Sequence, residues 1–303
     1  MNLLQTMWSI SRRKSLINCP RQYILRYSRS QRFSKNTQNI INFSLNDLVI
    51  RSSRKVIHER LEDFKNGLEW SEKMISLKIR LGIKEEISSE RYSAIRNSSN
   101  LKNLIHSAKN RINSLWNTNI FRRIISGQIK QWSCMDRKKF LSNGHIDIFC
   151  SPDISYKIQK RWHLLRIDFQ GELRNPSDEL ESLAMVNWAK KNNFLPYVNS
   201  QYIVNTLKFI NGKWIHNRYL PTDDLLQQSK QLLEKDVNEM NKLVGKMGPL
   251  LNLALIPLSN NRYTCKKCSF KPSCPAKNGL RISKLEQNAI EYNNAKINFE
   301  SNG

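Results

Sequence analysis

Three cysteines near the end of the chain, Cys265, Cys268 and Cys274, stand as a C-x2-C-x5-C run followed by Pro275. That spacing bends a short loop so that the first two thiolates turn toward one metal centre while the third closes over it. Such a centre takes four ligands, so a cysteine from elsewhere must join the loop. Cys19, Cys134 and Cys150 are available: Cys134 falls in a stretch of helical pattern and Cys150 ends a β-rich run. Whichever serves, the fold must bring distant parts of the chain together. A four-cysteine zinc site suits the first pair equally well, but zinc sites more often use two short pairs, whereas a triplet with one remote cysteine favours an iron–sulfur cluster.

Charge narrows the partner. Lys and Arg number 50 against 25 Asp and Glu, a formal net charge of +25 over 303 residues. An excess of that size repels the compact state from itself unless a polyanion offsets it, which makes nucleic acid the expected partner and membrane phosphates the weaker alternative. A basic nucleic-acid protein inside the cell keeps its thiols reduced, so disulfides are the least suitable reading of the cysteines. The longest strongly apolar run, residues 249–258, is short of the roughly 20 residues a membrane helix needs, so a soluble protein is expected. Before the first acidic residue, Asp47, come Arg12, Arg13, Arg21, Arg26, Arg29 and Arg32, a pattern that also fits a mitochondrial presequence. Cys19, Pro20 and Tyr23 are read below as part of the fold, so a cytoplasmic, nucleoid-associated location is expected, with the mitochondrial matrix as the alternative.

The chain reads as four segments. In residues 1–65, a short helix over 16–27 breaks near Pro20, a polar loop covers 28–39, and a helix over 45–64 carries Leu48, Val49, Val56, Ile57, Leu61 and Phe64 at helical spacing with His58 on or beside that face. Residues 66–140 lack proline and repeat apolar positions such as Leu101, Leu104, Ile105, Ile112, Leu115 and Trp116, as a basic helical insert would. There Lys109, Arg111, Arg122, Arg123 and Lys130 alternate with Trp116, Phe121 and Trp132, the mixture that a surface gripping phosphates and stacking on bases requires. The same aromatics suit core positions behind a solvated basic face equally well. Within 141–220, residues 144–149 and 162–170 read as neighbouring strands, 177–191 as a helix begun at Ser177 or Asp178, and 201–209 with 213–218 as a hairpin turning at Asn211-Gly212. Residues 221–303 hold a long helix over 223–244 and then the cysteine loop.

Asp147 and Asp168 fall in the two expected strands, where side chains alternate between faces, so Asp168 and Gln170 point one way and Asp147 faces them. Two carboxylates side by side call for a cation, and Mg²⁺ or Mn²⁺ there would polarise a phosphodiester and acidify an attacking water. The plainer alternative is acids at strand ends paired with Arg166 or Lys160.

Taken in order, these motifs resemble the RecB-like branch of the PD-(D/E)XK nucleases, especially the iron–sulfur members among CRISPR-associated adaptation nucleases and AddAB-type helicase-nucleases. Trp8-Ser9-Ile10-Ser11 leading to Cys19-Pro20-Arg21-Gln22-Tyr23 and Arg26-Tyr27 looks like the family's opening serine and C-P-x-x-Y segment. Val56-Ile57-His58-Glu59 looks like its metal-binding histidine helix. Gly144-His145-Ile146-Asp147 and Ile167-Asp168-Phe169-Gln170 are similar to its G-x-I-D and D-x-K strands, and Cys265-x2-Cys268-Ser269-Phe270-x3-Cys274-Pro275 to its terminal cluster loop. The likeness spans the chain except 66–140, which takes the place of a helical segment beside the DNA channel in relatives.

What the resemblance implies is an α/β restriction-endonuclease-like core, a mixed central sheet flanked by helices, with the basic insert and an N-/C-terminal cluster region. It assigns His58, Asp147, Asp168 and the Phe169 carbonyl to Mg²⁺ or Mn²⁺, and Cys19, Cys265, Cys268 and Cys274 to a 4Fe-4S cluster. Two positions depart from the pattern. Gln170 replaces the catalytic lysine, offering hydrogen bonds in place of a full charge, as in some restriction enzymes of this fold. The Q-x3-Y helix motif is reduced to Ser182 and Val186, though Lys190 or Lys191 on that helix could restore a charge. The expected function is a metal-dependent deoxyribonuclease of exonuclease type, working on single-stranded ends or opened duplex, with a helicase or other DNA-processing protein as partner. The alternative is a catalytically silent iron–sulfur DNA-binding module of such a complex.

Overall fold

The computed structural model describes residues 6–27, 44–136, 139–143, 146–172, 177–192, 195–198, 201–246, 256–259 and 262–266, together with Cys268, Phe270 and Cys274. Arg29, Arg32, the loop over 28–39, Gly144, His145, most of the apolar run 249–258 and Pro275 lie outside these residues. The chain begins with β1 (Thr6–Trp8), α1 (Ile10–Asn18), α2 (Pro20–Tyr27) and α3 (Leu45–Lys65). Helices α4 (Glu72–Glu86), α5 (Ser89–Ile95), α6 (Ser99–Trp116) and α7 (Asn119–Ile125) follow, then strands β2 (Trp132–Cys134), β3 (Leu141–Asn143), β4 (Ile146–Ile148), β5 (Ile154–Ile158) and β6 (Arg161–Asp168). Helix α8 (Ser177–Lys190), β7 (Tyr202–Ile210), β8 (Lys213–Tyr219), α9 (Asp223–Lys246) and α10 (Arg262–Lys266) complete a mixed α/β architecture.

Serine punctuation explains how so polar a stretch becomes helical. Ser44, Ser71, Ser88 and Ser98 each stand just before a helix and accept a hydrogen bond on their hydroxyl from the backbone N–H three residues on, at 3.1 to 3.4 Å. Each such cap is worth about 1 kcal/mol. The apolar stripes of α3, α4, α6 and α7 then close one core with Ile154, Tyr156, Leu165, Ile167, Phe169 and Leu207 of the sheet side. Trp116 and Trp132 pack against that core and Phe121 is fully buried within it, so the aromatics of the basic segment are structural.

The chain divides into two compact units, one of residues 1–42, 142–148 and 230–303, the other of residues 43–141 and 149–229. The larger unit is built on a five-stranded sheet ordered β2-β5-β6-β7-β8. β5 and β6 are antiparallel, β6 and β7 parallel, and β7 and β8 antiparallel. The parallel step needs a crossover, which α8 supplies. The β7–β8 hairpin turns at Asn211 and Gly212 with φ of 48° and 83°, the left-handed pair of a type I′ turn, as the Asn-Gly signal anticipates.

The smaller unit holds a three-stranded sheet ordered β1-β4-β3, with β1 parallel to β4 and Met7 opposite Asp147. This corrects the expectation that the strands of Asp147 and Asp168 are neighbours. β4 belongs to the three-stranded sheet, while β6 pairs with β5 and β7 in the other. The expected polar turn before β6 contains β5, whose inward residues Ile154 and Tyr156 alternate with serine and lysine.

Candidate active site and cysteine centre

Helix α3 aims two side chains at the β5–β6 pair from positions four residues apart, which share a helical face. His58 places Nε2 3.8 Å from Oδ1 of Asp153, and Arg54 places Nη2 4.0 Å from Oδ1 of Asp168. Asp153 stands just before β5 and Asp168 ends β6, and the antiparallel pairing of Ile154 with Leu165 puts both acids at one end of the ladder. Asp153 is fixed: its Oδ2 accepts from the Ile167 N–H at 2.7 Å, and its own N–H donates to the Leu165 carbonyl at 2.8 Å. Asp168 is at the limit of ion pairing with a partly exposed Arg54, and that contact falls on its Oδ1.

The acid that meets His58 in this unit is therefore Asp153, which the sequence reading passed over although Pro152-Asp153 precedes Asp168-Phe169-Gln170 in a P-D…D-x-Q series. Asp147 lies in the other unit, buried on β4, where the Ser142 hydroxyl donates to its Oδ1 at 2.6 Å. Arg166, suggested as a partner for the strand-end acids, serves Asp153 and Glu181 at 3.6 and 3.0 Å. Burial works against its charge, but Glu181 and Asp153, with Cys150, more than offset this and raise its pKa.

Beyond β6 the strand alternation stops, so Gln170 does not follow Asp168 onto one face. Its N–H donates to Asp168 Oδ1 at 3.0 Å, a turn closed by the aspartate, and its side chain is exposed. The Phe169 carbonyl accepts from Arg111 Nη1 at 3.1 Å, which engages one of its two lone pairs. Arg111 thus reaches the candidate site itself. The other expected phosphate contacts are dispersed: Lys109 pairs with Glu72 at 2.8 Å, Arg122 and Lys130 are exposed, and Arg123 acts on Tyr156 and His163.

The strand beside β6 carries a buried lysine. Lys208 is paired with Asp168 in the parallel β6–β7 register and is 2% exposed. Its side chain crosses Gly171, where a Cβ would stand 2.5 Å from the Lys208 Cβ, so the glycine makes room for it. Nζ donates to the Glu172 carbonyl at 3.3 Å and to the Asp178 carboxylate. Lys190, in contrast, lies over the Tyr197 ring at 4.6 Å, and Lys191 is exposed.

In the smaller unit, Cys19 is the C-cap of α1 and Pro20 opens α2, so the expected break is a change of helix. Ser9 caps α1 by accepting from Arg12 N–H at 3.2 Å. Cys19 is buried and its sulfur accepts from the Gln22 N–H at 3.4 Å, while Cys268 N–H donates to the Cys265 carbonyl at 3.3 Å. The Cys268 thiol is pushed up by burial, against a hydrogen bond from Phe270, with Cys19 and Cys274 adding to the rise. Cys19 and two members of the C-terminal triplet therefore lie within electrostatic reach of one another. Arg21, 1% exposed, reinforces the tie by donating through Nε and Nη2 to the Ile256 carbonyl at 3.1 and 2.8 Å. Cys134 and Cys150 belong to the larger unit: burial, then Glu62 and Asp153, push the Cys134 thiol up to about 12, and Cys150 donates to the Glu181 carbonyl at 3.4 Å.

One imidazole and two carboxylates are donors of the kind a hard divalent cation takes, and four thiolates are those of an iron–sulfur cluster. Among the described residues, no group of three or more His, Cys, Asp or Glu side chains is arranged to hold a metal ion. Nor is any helix among them long and apolar enough to cross a membrane.

No known protein family matches the chain, and no curated protein does. A solved structure titled SSO0001 is similar at 11% identity over 73% of this chain and 95% of that one, with a TM-score of 0.28, a likeness too slight to carry an argument.

Proposed function

We propose that the chain is a divalent-metal-dependent deoxyribonuclease with a restriction-endonuclease-like core, its site formed by His58, Asp153, Asp168 and Gln170. The observation that carries this reading is the approach of α3, which sets His58 against Asp153 and Arg54 against Asp168 at one end of the β5–β6 ladder. A bound Mg²⁺ or Mn²⁺ would supply Lewis-acid polarisation of the phosphodiester and a more acidic water. The residues do the rest. His58, Asp153 and Asp168 would hold the cation on drawing together around it, with Asp153 kept in place by the Ile167 N–H. Arg54 and Arg111, at Asp168 and the Phe169 carbonyl, attract and orient the scissile phosphate. Gln170 hydrogen-bonds the attacking water. Cys19, Cys265, Cys268 and Cys274 hold a 4Fe-4S cluster that supplies a structural tie between the first helices and the C-terminal loop.

End-labelled single- and double-stranded DNA incubated with the full chain and Mg²⁺ or Mn²⁺ tests the assignment. Cleavage is expected, lost by at least 100-fold in Asp153→Asn and Asp168→Asn, on the order found when a charge-stabilising group is removed from an active site, and retained in Asp147→Asn. Wild-type protein that cuts neither substrate, or an Asp168→Asn variant that cuts as well, would refute it. The exposed Gln170 favours a second reading, a silent DNA-binding module within a larger complex. Gln170→Lys separates the two, since a large gain in cleavage marks an attenuated site and no cleavage in either form marks a silent one.

A further inference from the structure

The end of β6 remote from Asp168 carries a cationic cluster that the proposed chemistry does not use. Paired residues of adjacent strands point to the same face. By that rule Tyr156, His163, Asn205, His216 and Arg218 share one face of the larger sheet, through the pairs Tyr156 with His163, Asn205 with Arg218 and Leu207 with His216. Arg161, two residues before His163, joins them. Further along, the same face buries Leu165, Ile167 and Leu207 in the core, so it changes from apolar to cationic along its length.

The polar end is held by one side chain. Asn205 Nδ2 lies 3.1 Å from His163 Nδ1, and its Oδ1 lies 2.9 Å from His216 Nε2. One amide thus bridges the two imidazoles and holds both rings in place. Tyr156 stacks on His163 with centroids 4.8 Å apart. Arg123, from α7, and Arg218 act on both rings, and the charged groups acting on His163 are Arg218, Arg123, Arg161 and His216. Among the described residues none of the three arginines is ion-paired, so no described carboxylate within 4 Å offsets their charge.

We propose that Arg123, Arg161 and Arg218, with His163 and His216 held by Asn205, form a second binding site, one for the backbone phosphates of a nucleic acid. Guanidinium groups bind phosphate through paired hydrogen bonds, and an unneutralised trio gains most from a polyanion. His163 and Asp168 are five residues apart on β6, roughly 17 Å at strand rise and on opposite faces, so the site is distinct from the acidic one. A nucleic acid suits it better than a lipid surface. No large apolar side chain exposed among the described residues falls in β5, β6, β7 or β8, so this face offers nothing to enter a lipid surface. The inference shares with the proposed function only the nucleic-acid partner.

Binding of a labelled single-stranded oligonucleotide to the full chain in EDTA tests it, because EDTA separates binding from cleavage. The double variant Arg161→Gln/Arg218→Gln is expected to bind several-fold more weakly and to lower the slope of log affinity against log salt by about 1.4, about 0.7 for each lost contact. Lys84→Gln/Lys102→Gln removes the same charge from exposed helix positions and is expected to keep the slope. Arg161→Lys/Arg218→Lys is expected to recover most of the affinity. Unchanged binding in the arginine double variant overturns the site, as does an equal loss in the lysine control. So does binding to phosphatidylserine–phosphatidylcholine vesicles that falls in the arginine variant while oligonucleotide binding holds. Loss of cleavage with this binding intact would sink the nuclease reading and leave the site standing.

Discussion

Lys208 shows how a single residue ties packing to the candidate site. Among the described residues it is the one buried lysine, its charge met by Asp178 at the start of α8 and by the Glu172 carbonyl. Lys208→Met takes this counter-charge away from Asp178, whose side chain is only 13% exposed, which is expected to cost about 3 kcal/mol, read as a shift in the urea midpoint. Adding Asp178→Leu should recover much of that loss, because an apolar pair of similar volume needs no counter-charge. His163 carries a pH dependence of known direction. Burial, followed by Arg218, Arg123, Arg161 and His216, pushes it down to about 4 from 6.5. Between those values the unfolded chain binds the proton and the folded one does not, so stability falls as pH drops from about 6.5 to about 4. Thermal melts across that window should show a shallower fall in His163→Gln than in the parent chain, and equal slopes would remove this residue from the account.

At the scale of elements, the face of α3 that carries Arg54 and His58 depends on how closely α4 approaches it. Ser52 donates to the Ile79 carbonyl at 2.7 Å, and a Cβ on Gly82 would stand 2.3 Å from the Ser52 hydroxyl oxygen. Gly82→Ala is therefore expected to destabilise by about 1–3 kcal/mol, as overpacking does, and Ser52→Gly should relieve most of it in a double-mutant cycle. Additive costs would show that the two helices do not meet at that pair. This layer was largely legible in the chain. The periodic Leu48, Val56, Ile57 and Leu61 became α3, and Asn211-Gly212 became the expected turn. The strand β5 was not, because Ser155 and Lys157 between its apolar residues read as a polar turn. Missing that strand hid Asp153, since an acid acquires a position only when its strand is paired. Lys208 was hidden for a related reason, as its place beside Asp168 comes from a parallel register formed across α8.

For the molecule as a whole, the two units differ in what can hold them. The larger unit closes a continuous core from α3 through β7, whereas the smaller buries a shorter set that includes Trp8, Tyr23, Ile24, Val237, Met240 and Phe270. Specific polar ties supplement that set. Trp8 Nε1 donates to Asp236 at 2.9 Å, Arg13 pairs with the same carboxylate at 2.8 Å, and Arg21 clasps the Ile256 carbonyl. A small core of this kind gains most from a metal centre, because ligand binding to a site absent from the unfolded chain adds directly to folding free energy. Anaerobically purified protein is therefore expected to contain iron and sulfide, to show the visible absorption of sulfur-to-iron charge transfer, and to lose both in Cys268→Ser. In that variant, amide hydrogen exchange should quicken through α1 and α2 while β6 and β7 stay protected, since their core draws on neither Cys19 nor the terminal loop. Exchange that quickens equally in both units would mean that the cysteine centre supports the whole chain, and a colourless, zinc-containing preparation would replace the cluster with a structural zinc site.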